Sequence, residues 1–561
     1  MSNTTELESL ITRLAAGAAA GGLRDAATGA DLALRTARSV AAAAEAWTDA
    51  AVVLKQAGGA VQAAALAEET ATGPLATLRL LLITARALAD IGRSGLPNLP
   101  VAPRVAHAAG GSASRIEVDV LPVRGLHDGT IFGGQRATVR CGNPGGLEAF
   151  ERTWRREVAE RPRSGGVALV LGAGNVTGLA PADCICQIFE HGRAVLLKLH
   201  PLHGPLRPIL ETALEPLVAA GLLAIVVGGA ELARAALESP RIGHVHLTGG
   251  QAAFEALVWG GERHPGAGGD PVLAQSITCE LGSVTPWIIV PGRYSRRELM
   301  CQADMVAASI ANNTSFNCIA TKIVVTARSW EQREEFLDLV DRRLRMLPAR
   351  PAWYPGATAA WETLAEKSAP ADGTLPWIFR RGIDTGRDPR WCAREWFVPA
   401  AAEIPIEASD IEAFCTGATD LTHRLPGTLA ASVTAPAFAE ERSRQRFELL
   451  CEHLGYGVVA VNCWSALAYA MGNVPWGGYP GATLEQPQSG IGRVHDPLLL
   501  PLVHNTIVRS PLAIWPKPPW FPWHNHGAAL ARGVVGMYAD IARGRSGLTR
   551  LARMLPAVLT G

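Results

Sequence analysis

From residue 165 onward, short apolar runs alternate with stretches of helical period. GVALVL, AVLLKLHP, LLAIVVGG and HVHLTGG are separated by segments such as ADCICQIFEHG and ILETALEPLVAAG. Continuous apolar strands alternating with amphipathic helices predict a parallel sheet covered on both faces. The rhythm resumes over 279–465, where CELGSVTPWIIVPG leads into a helix through ELMCQADMVAASIANN and then the strand TKIVVTA. The next helix is predicted to begin at a capping box, Ser329 to Gln332, of the S-x-x-Q form. Residues 5–95 are Ala- and Leu-rich and predict packed helices. Residues 115–141 alternate in period two with a turn signal at Asp128-Gly129, which predicts a β-arm suited to pairing with another subunit. The tail is of another kind: IWPKPPWFPWHNH (514–526) predicts an extended strap on the surface, and an amphipathic basic stretch follows it.

Composition narrows the reading by exclusion. In 561 residues, 52 Lys and Arg stand against 51 Asp and Glu, a net charge of +1. No whole-chain field therefore favours nucleic acid. Ten cysteines are scattered without paired spacing, so neither a disulfide framework nor a metal site is expected, and a reduced, cytoplasmic chain is. The start, MSNTTELESL, lacks the basic and apolar regions of a secretory leader. Arg79 and Arg86 interrupt the longest apolar run, so no membrane span is expected.

Four positions carry candidate chemistry. Gly172, Gly174 and Gly178 lie in a strand-to-helix turn, LGAGNVTG, of the sort that brings backbone N–H groups to a phosphate, although the same glycines serve a tight turn with nothing bound. Lys198 ends an otherwise apolar strand, where open α/β sheets bind ligands. Glu280 sits among apolar neighbours in ITCELG, a setting that raises proton affinity and suits a general base. Cys318 follows the polar cluster NNTSFN and precedes a strand, so it occupies a connection; its rival Cys279 adjoins Glu280. Of the others, Cys141, Cys184, Cys186, Cys301, Cys415, Cys451 and Cys463 read as core filling.

Taken in order, these stretches resemble the aldehyde dehydrogenase superfamily over about 165–495. The carriers are LGAGN ending in Asn175, LLKLHP with Lys198, Thr248-Gly249-Gly250 of HLTGG, CELGSVTP with Glu280, NNTSFNC with Cys318, REWFVP with Glu395, and VNCW, VPWGGYPG and QSGIGR beyond. The resemblance implies an α/β fold with a Rossmann-type cofactor domain, an α/β catalytic domain and a β-arm for oligomerisation. The chain is expected to divide into a helical N-terminal part of the cofactor domain (1–114), the arm (115–141), the nucleotide-binding part (142–278), the catalytic domain (279–465) and a return with an oligomerisation strand and the Pro/Trp tail (466–561), the N-terminal helices and the tail exceeding a standard family member. It implies that Cys318 attacks an aldehyde, that Asn175 and the Cys318 N–H stabilise the oxyanion, and that Glu280 activates water. It further implies NAD or NADP held by Gly172, Gly174, Lys198, Thr248, Gly249, Gly250 and Glu395, and a homodimer or homotetramer. Ser315 and Phe316 depart from the family's G-Q, Gly282-Ser283-Val284-Thr285-Pro286 departs from G-G-K-S-P, and Pro201 stands where an acid often selects NAD. A coenzyme A-acylating enzyme and a catalytically silent binding protein are the alternatives. Trp287, Phe316, Trp396 and Trp464 are expected to line an apolar pocket for an aromatic or long-chain aldehyde.

Overall fold

The computed structural model describes residues 2–20, 25–107, 114–161, 165–262 and 269–561. Two sheets organise it. The smaller has five parallel strands in the order Leu223–Val227, Ala194–Leu199, Val167–Leu171, Ile242–Gly249 and Ser276–Leu281. Its central strand Val167–Leu171 is buried at every position, as its unbroken apolar run requires of a strand covered on both faces. One covering layer comes from the N-terminal helices Ala26–Leu54 and Ala76–Ser94, whose Leu and Ala side chains share a core with the strands. Each fully buried Leu, Ile or Val in such a core contributes ~1.5–3 kcal/mol.

The larger sheet has ten strands. In spatial order they are Arg104–His107, Ser114–Asp119, Arg136–Gly142, Val503–Arg509, Val458–Val461, Ala430–Thr434, Pro286–Ile289, Ile323–Ala327, Ala400–Ile406 and Ile378–Arg380. The first four are mutually antiparallel, and from Val503–Arg509 onward the neighbours run parallel. The arm expected to pair with another subunit thus adds, through Val503–Arg509, to the sheet of its own chain. The stretch 466–561 divides. Val503–Arg509 joins the large sheet, the segment around Ser489–Ile491 hydrogen-bonds Cys279 and Leu281 of the small one, and helix Gly527–Ala542 packs on the N-terminal helices.

Three local expectations need correction. Asp128-Gly129 is not a hairpin turn but opens a short helix, Asp128–Ile131, because the Asp128 carboxylate is drawn inward to a bidentate pair with Arg79 at 2.7 and 3.0 Å. The helix after TKIVVTA begins at Arg333, not at Ser329. The Ser329 hydroxyl donates to the Ala408 carbonyl, and the Gln332 amide bridges the backbone of Tyr294, so neither is free to cap. The box forms instead at Ser295 and Glu298, which open helix Arg296–Ala311. Cys301, expected in the core, is half-buried. Among the described residues no helix is long and apolar enough to cross a membrane.

Candidate active site

The chain passes from the small sheet to the large one in four residues, Gly282 to Thr285, between Ser276–Leu281 and Pro286–Ile289. Glu280 therefore ends one sheet beside the first strand of the other. That strand pairs with Ile323–Ala327, which is preceded by the loop bearing Cys318. The Thr285 hydroxyl donates to the Cys318 carbonyl at 2.9 Å, fastening this loop to the crossing. The result is a seam in which Cys318 Sγ lies 3.5 Å from Glu280 Oε1. Cys279, the rival thiol, is buried and accepts the Ile491 N–H, away from that contact.

The loop cannot hold itself in this shape. Helix Arg296–Ala311 ends at Asn312, and Asn313, Thr314 and Ser315 follow with φ of 52°, 58° and 63°. A left-handed conformation costs a side-chain-bearing residue roughly 1–2 kcal/mol, and here three occur in succession. Hydrogen bonds from several elements oppose that cost. Asn313 Nδ2 donates to the carbonyls of Asn175 (2.9 Å) and Phe316 (2.8 Å), and its Oδ1 accepts Lys55 Nζ at 2.8 Å. Its N–H donates to Glu68 at 3.2 Å, Glu68 is gripped by Arg350 at 2.7 and 3.0 Å, and Lys55 also pairs with Glu69. From the other side Lys322 Nζ donates to the carbonyl and hydroxyl of Ser315, both at 2.8 Å.

These groups escaped the sequence reading, which found no chemistry in the N-terminal helices. The available signal was the pair Glu68-Glu69 in an otherwise apolar helix; both are almost wholly buried. Trp476 was also missed as an individual residue. Its indole N–H donates to Glu280 Oε2 at 2.8 Å and so fixes the carboxyl with its other oxygen toward the thiol.

Electrostatics set the protonation. Burial, with a smaller contribution from Asp183, raises the Glu280 carboxyl to about 7 despite the Trp476 hydrogen bond. Burial and the negative charges of Glu280 and Glu395 push the Cys318 thiol well above its ordinary value of 9. A thiol that strongly protonated is nucleophilic only if its proton is taken as it attacks, and Glu280 is the base within reach. Asn175 is buried, with its Nδ2 donating to the Phe316 carbonyl at 3.2 Å. A primary amide carries two N–H donors, so a second remains for an oxyanion.

The expected cofactor residues divide. Lys198, half-buried at the carboxyl end of its strand, donates to the Gly228 carbonyl at 3.0 Å, leaving two of an ammonium's three N–H groups. Gly249 and Gly250 lead into helix Gln251–Val258, and a Cβ on Gly250 would meet nothing within 4 Å, so its backbone is open to a phosphate. The Thr248 hydroxyl, in contrast, is committed to buried Asp183 at 2.9 Å. Gly172 and Gly174 are required by packing: a Cβ would collide with the Ala180 Cβ or with the His200 ring, respectively. Glu395 sits against Gly282 on the thiol side of the seam, and its Oε1 has no hydrogen-bond partner. The aromatic residues expected to line a pocket are core instead. Trp287 donates to Thr434, Phe316 packs among Trp353, Tyr354 and Phe397, and Trp396 lies under the Arg394 guanidinium. Trp464, also buried, donates to the Ile319 carbonyl at 2.7 Å and braces the residue after Cys318.

No protein-family model matches this sequence, and no curated protein is detectably similar to it. Solved structures are similar in three dimensions. The P. syringae indole-3-acetaldehyde dehydrogenase AldA, a mutant form solved with NAD+ and IAA, is 15% identical with a TM-score of 0.59, over 90% of this chain and 88% of its own. The aldehyde dehydrogenase KauB from Pseudomonas aeruginosa is 15% identical with a TM-score of 0.58, over 87% and 85%. Glyceraldehyde-3-phosphate dehydrogenase GapN from Methanocaldococcus jannaschii, solved with NADP, is 13% identical with a TM-score of 0.58, over 90% and 94%. The fold is that of the aldehyde dehydrogenases. Within the aldehyde dehydrogenase fold this chain brings a cysteine, a buried glutamate and an asparagine amide together, while the loop before Cys318 is secured by a buried charge cluster from the N-terminal helices.

Proposed function

We propose that the chain oxidises an aldehyde to the carboxylic acid with NAD or NADP, using Cys318 as nucleophile. The observation that carries this reading is the approach of Cys318 Sγ to Glu280 Oε1, 3.5 Å, in the seam between the sheets. The neighbours solved with NAD+ or NADP support the choice of cofactor, as do the free donors of Lys198 and the open backbone at Gly250. Bound at that edge, a nicotinamide supplies the hydride acceptor that oxidation of an aldehyde to an acid requires.

The chain's own groups then have defined tasks. Ionised Glu280 takes the thiol proton as Cys318 Sγ bonds to the aldehyde carbon. The Asn175 amide and the Cys318 N–H stabilise the oxygen that becomes negative; one such donor contributes about 2.7–4 kcal/mol in comparable sites. After oxidation the acyl group is held on Cys318. Glu280, having passed its proton on, removes one from the attacking water, and acid leaves as the thiol is re-formed. A carboxyl near 7 suits both duties, since it is a usable base and a usable acid at neutral pH.

The test is reduced-cofactor formation by wild type and Cys318→Ala, with NAD or NADP and a panel of aldehydes, without coenzyme A. Turnover that vanishes in the variant is expected. Turnover that requires coenzyme A favours the acylating enzyme, and none from folded wild type with either cofactor overturns the proposal.

A further inference from the structure

The helix that begins at Leu179 does not finish as an α-helix. Cys186–Glu190 form a single π-helical turn, closed by His191. Turns of this kind are rare and frequently lie at functional sites. Here the turn gathers Cys186, Glu190 and His191, with a sulfur, a carboxylate oxygen and an imidazole nitrogen all within 4.8 Å of one another. Cys186 and Glu190 are 1% and 6% exposed, and His191 is half-buried.

The hydrogen bonding around this cluster is incomplete. Glu190 Oε2 receives the Cys186 thiol at 3.4 Å and the Asp496 N–H at 2.8 Å, but Glu190 Oε1 has no partner. Asp496 is 4% exposed, and although its Oδ2 is paired with Arg493, its Oδ1 is likewise unpartnered. A buried Glu190 oxygen with nothing to bond, beside a thiol and an imidazole, is part of a donor set lacking its electrophile.

We propose that Cys186, Glu190 and His191 bind a divalent ion of the zinc class, with water at the fourth position. One sulfur, one nitrogen and oxygen is a mixed set that suits Zn(II) or Co(II), whereas Mg(II) and Ca(II) take oxygen ligands. The charges close as well. A dication that displaces the protons of Cys186 and Glu190 is neutralised by them, and Asp496 is already balanced by Arg493. The nearby Arg193 is occupied by Gln187 Oε1 at 2.7 Å. The turn precedes strand Ala194–Leu199, so the site lies at the amino ends of the small sheet's strands, opposite the carboxyl ends that carry Lys198 and Glu280. Three protein donors hold the ion there and leave one position to water, and the Asp496 N–H, donating to Glu190 at 2.8 Å, ties the C-terminal segment to the nucleotide-type sheet.

The experiment uses the full chain, stripped with a chelator and titrated with cobalt(II). One equivalent binds with a thiolate-to-cobalt charge-transfer band, which persists in Cys318→Ala and disappears in Cys186→Ser. His191→Gln, at the least buried of the three positions, weakens cobalt binding about tenfold or more. Absence of the band in folded wild type at saturating cobalt, its persistence in Cys186→Ser, or its loss in Cys318→Ala overturns the proposal. Should Cys186→Ser fail to fold, unchanged affinity in His191→Gln overturns it alone.

Discussion

Replacing Glu280 by Gln is expected to stabilise the protein while destroying its turnover, and the size of the gain follows from the site. Glu280 is 2% exposed, and its carboxyl is raised from 4.5 to about 7, chiefly by burial. Between those two pH values the unfolded chain has released this proton and the folded chain still holds it. Stability therefore falls with rising pH through that window and levels off above it. At about 1.4 kcal/mol per pH unit the loss amounts to ~3 kcal/mol. Gln has no proton to release, and its carbonyl can still accept the Trp476 N–H, so the variant is spared the loss. Urea denaturation of wild type and Glu280→Gln at pH 5 and pH 8 measures the effect. The variant's advantage is small at pH 5 and grows to ~3 kcal/mol at pH 8, while steady-state turnover drops by about 10²–10⁴. An advantage independent of pH, or a variant less stable than wild type at pH 8, refutes the claim that this carboxylate is ionised at a cost to the fold.

Three further outcomes follow from the same geometry. Alkylation of Cys318 by iodoacetamide, followed by mass spectrometry, is slow at pH 7.5 and accelerates through pH 9, because burial, Glu280 and Glu395 hold the thiol protonated; fast labelling independent of pH contradicts this. Lys55→Met leaves Glu69 buried and unpaired, so it lowers stability by about 3–5 kcal/mol in calorimetry and reduces turnover by freeing Asn313, and an unchanged unfolding transition argues against the cluster's role. Gly282→Ala drives a methyl group into the Glu395 carboxylate and impairs folding, a defect that Glu395→Ala in the same chain relieves; purely additive effects of the two substitutions refute the contact.

The parts of the fold that could be read from the sequence are those whose side-chain period is simple. Val167–Leu171 and Ile323–Ala327 are apolar at nearly every position because both faces are covered, and such runs declare themselves. Cys318 and Glu280 drew notice for the opposite reason, as polar groups set where the period breaks, and the structure brings them to 3.5 Å. What could not be read depends on partners far along the chain. Ser329 and Ser295 both begin an S-x-x-E/Q pattern, yet only Ser295 caps, since Ala408 captures the Ser329 hydroxyl and Tyr294 captures Gln332. Arg79 reads as an interruption of an apolar helix and is in fact 2% exposed, held by Asp128 from forty-nine residues away. The aromatic residues failed as pocket markers because their size is used to fill the large core.

The same dependence on distant partners governs how Cys318 is presented. Asn313, Thr314 and Ser315 would relax out of left-handed backbone if released, because no glycine eases any of the three positions. Their restraints come from Lys55 and Glu68 in the N-terminal layer, Asn175 after the first strand of the small sheet, and Lys322 at the start of a strand in the large one. No single sheet supplies enough of them. Cys318 therefore reaches its place beside Glu280 only when the helical layer and both sheets have docked, and its alkylation profile reports on assembly of the whole chain rather than on the local sequence NNTSFNC.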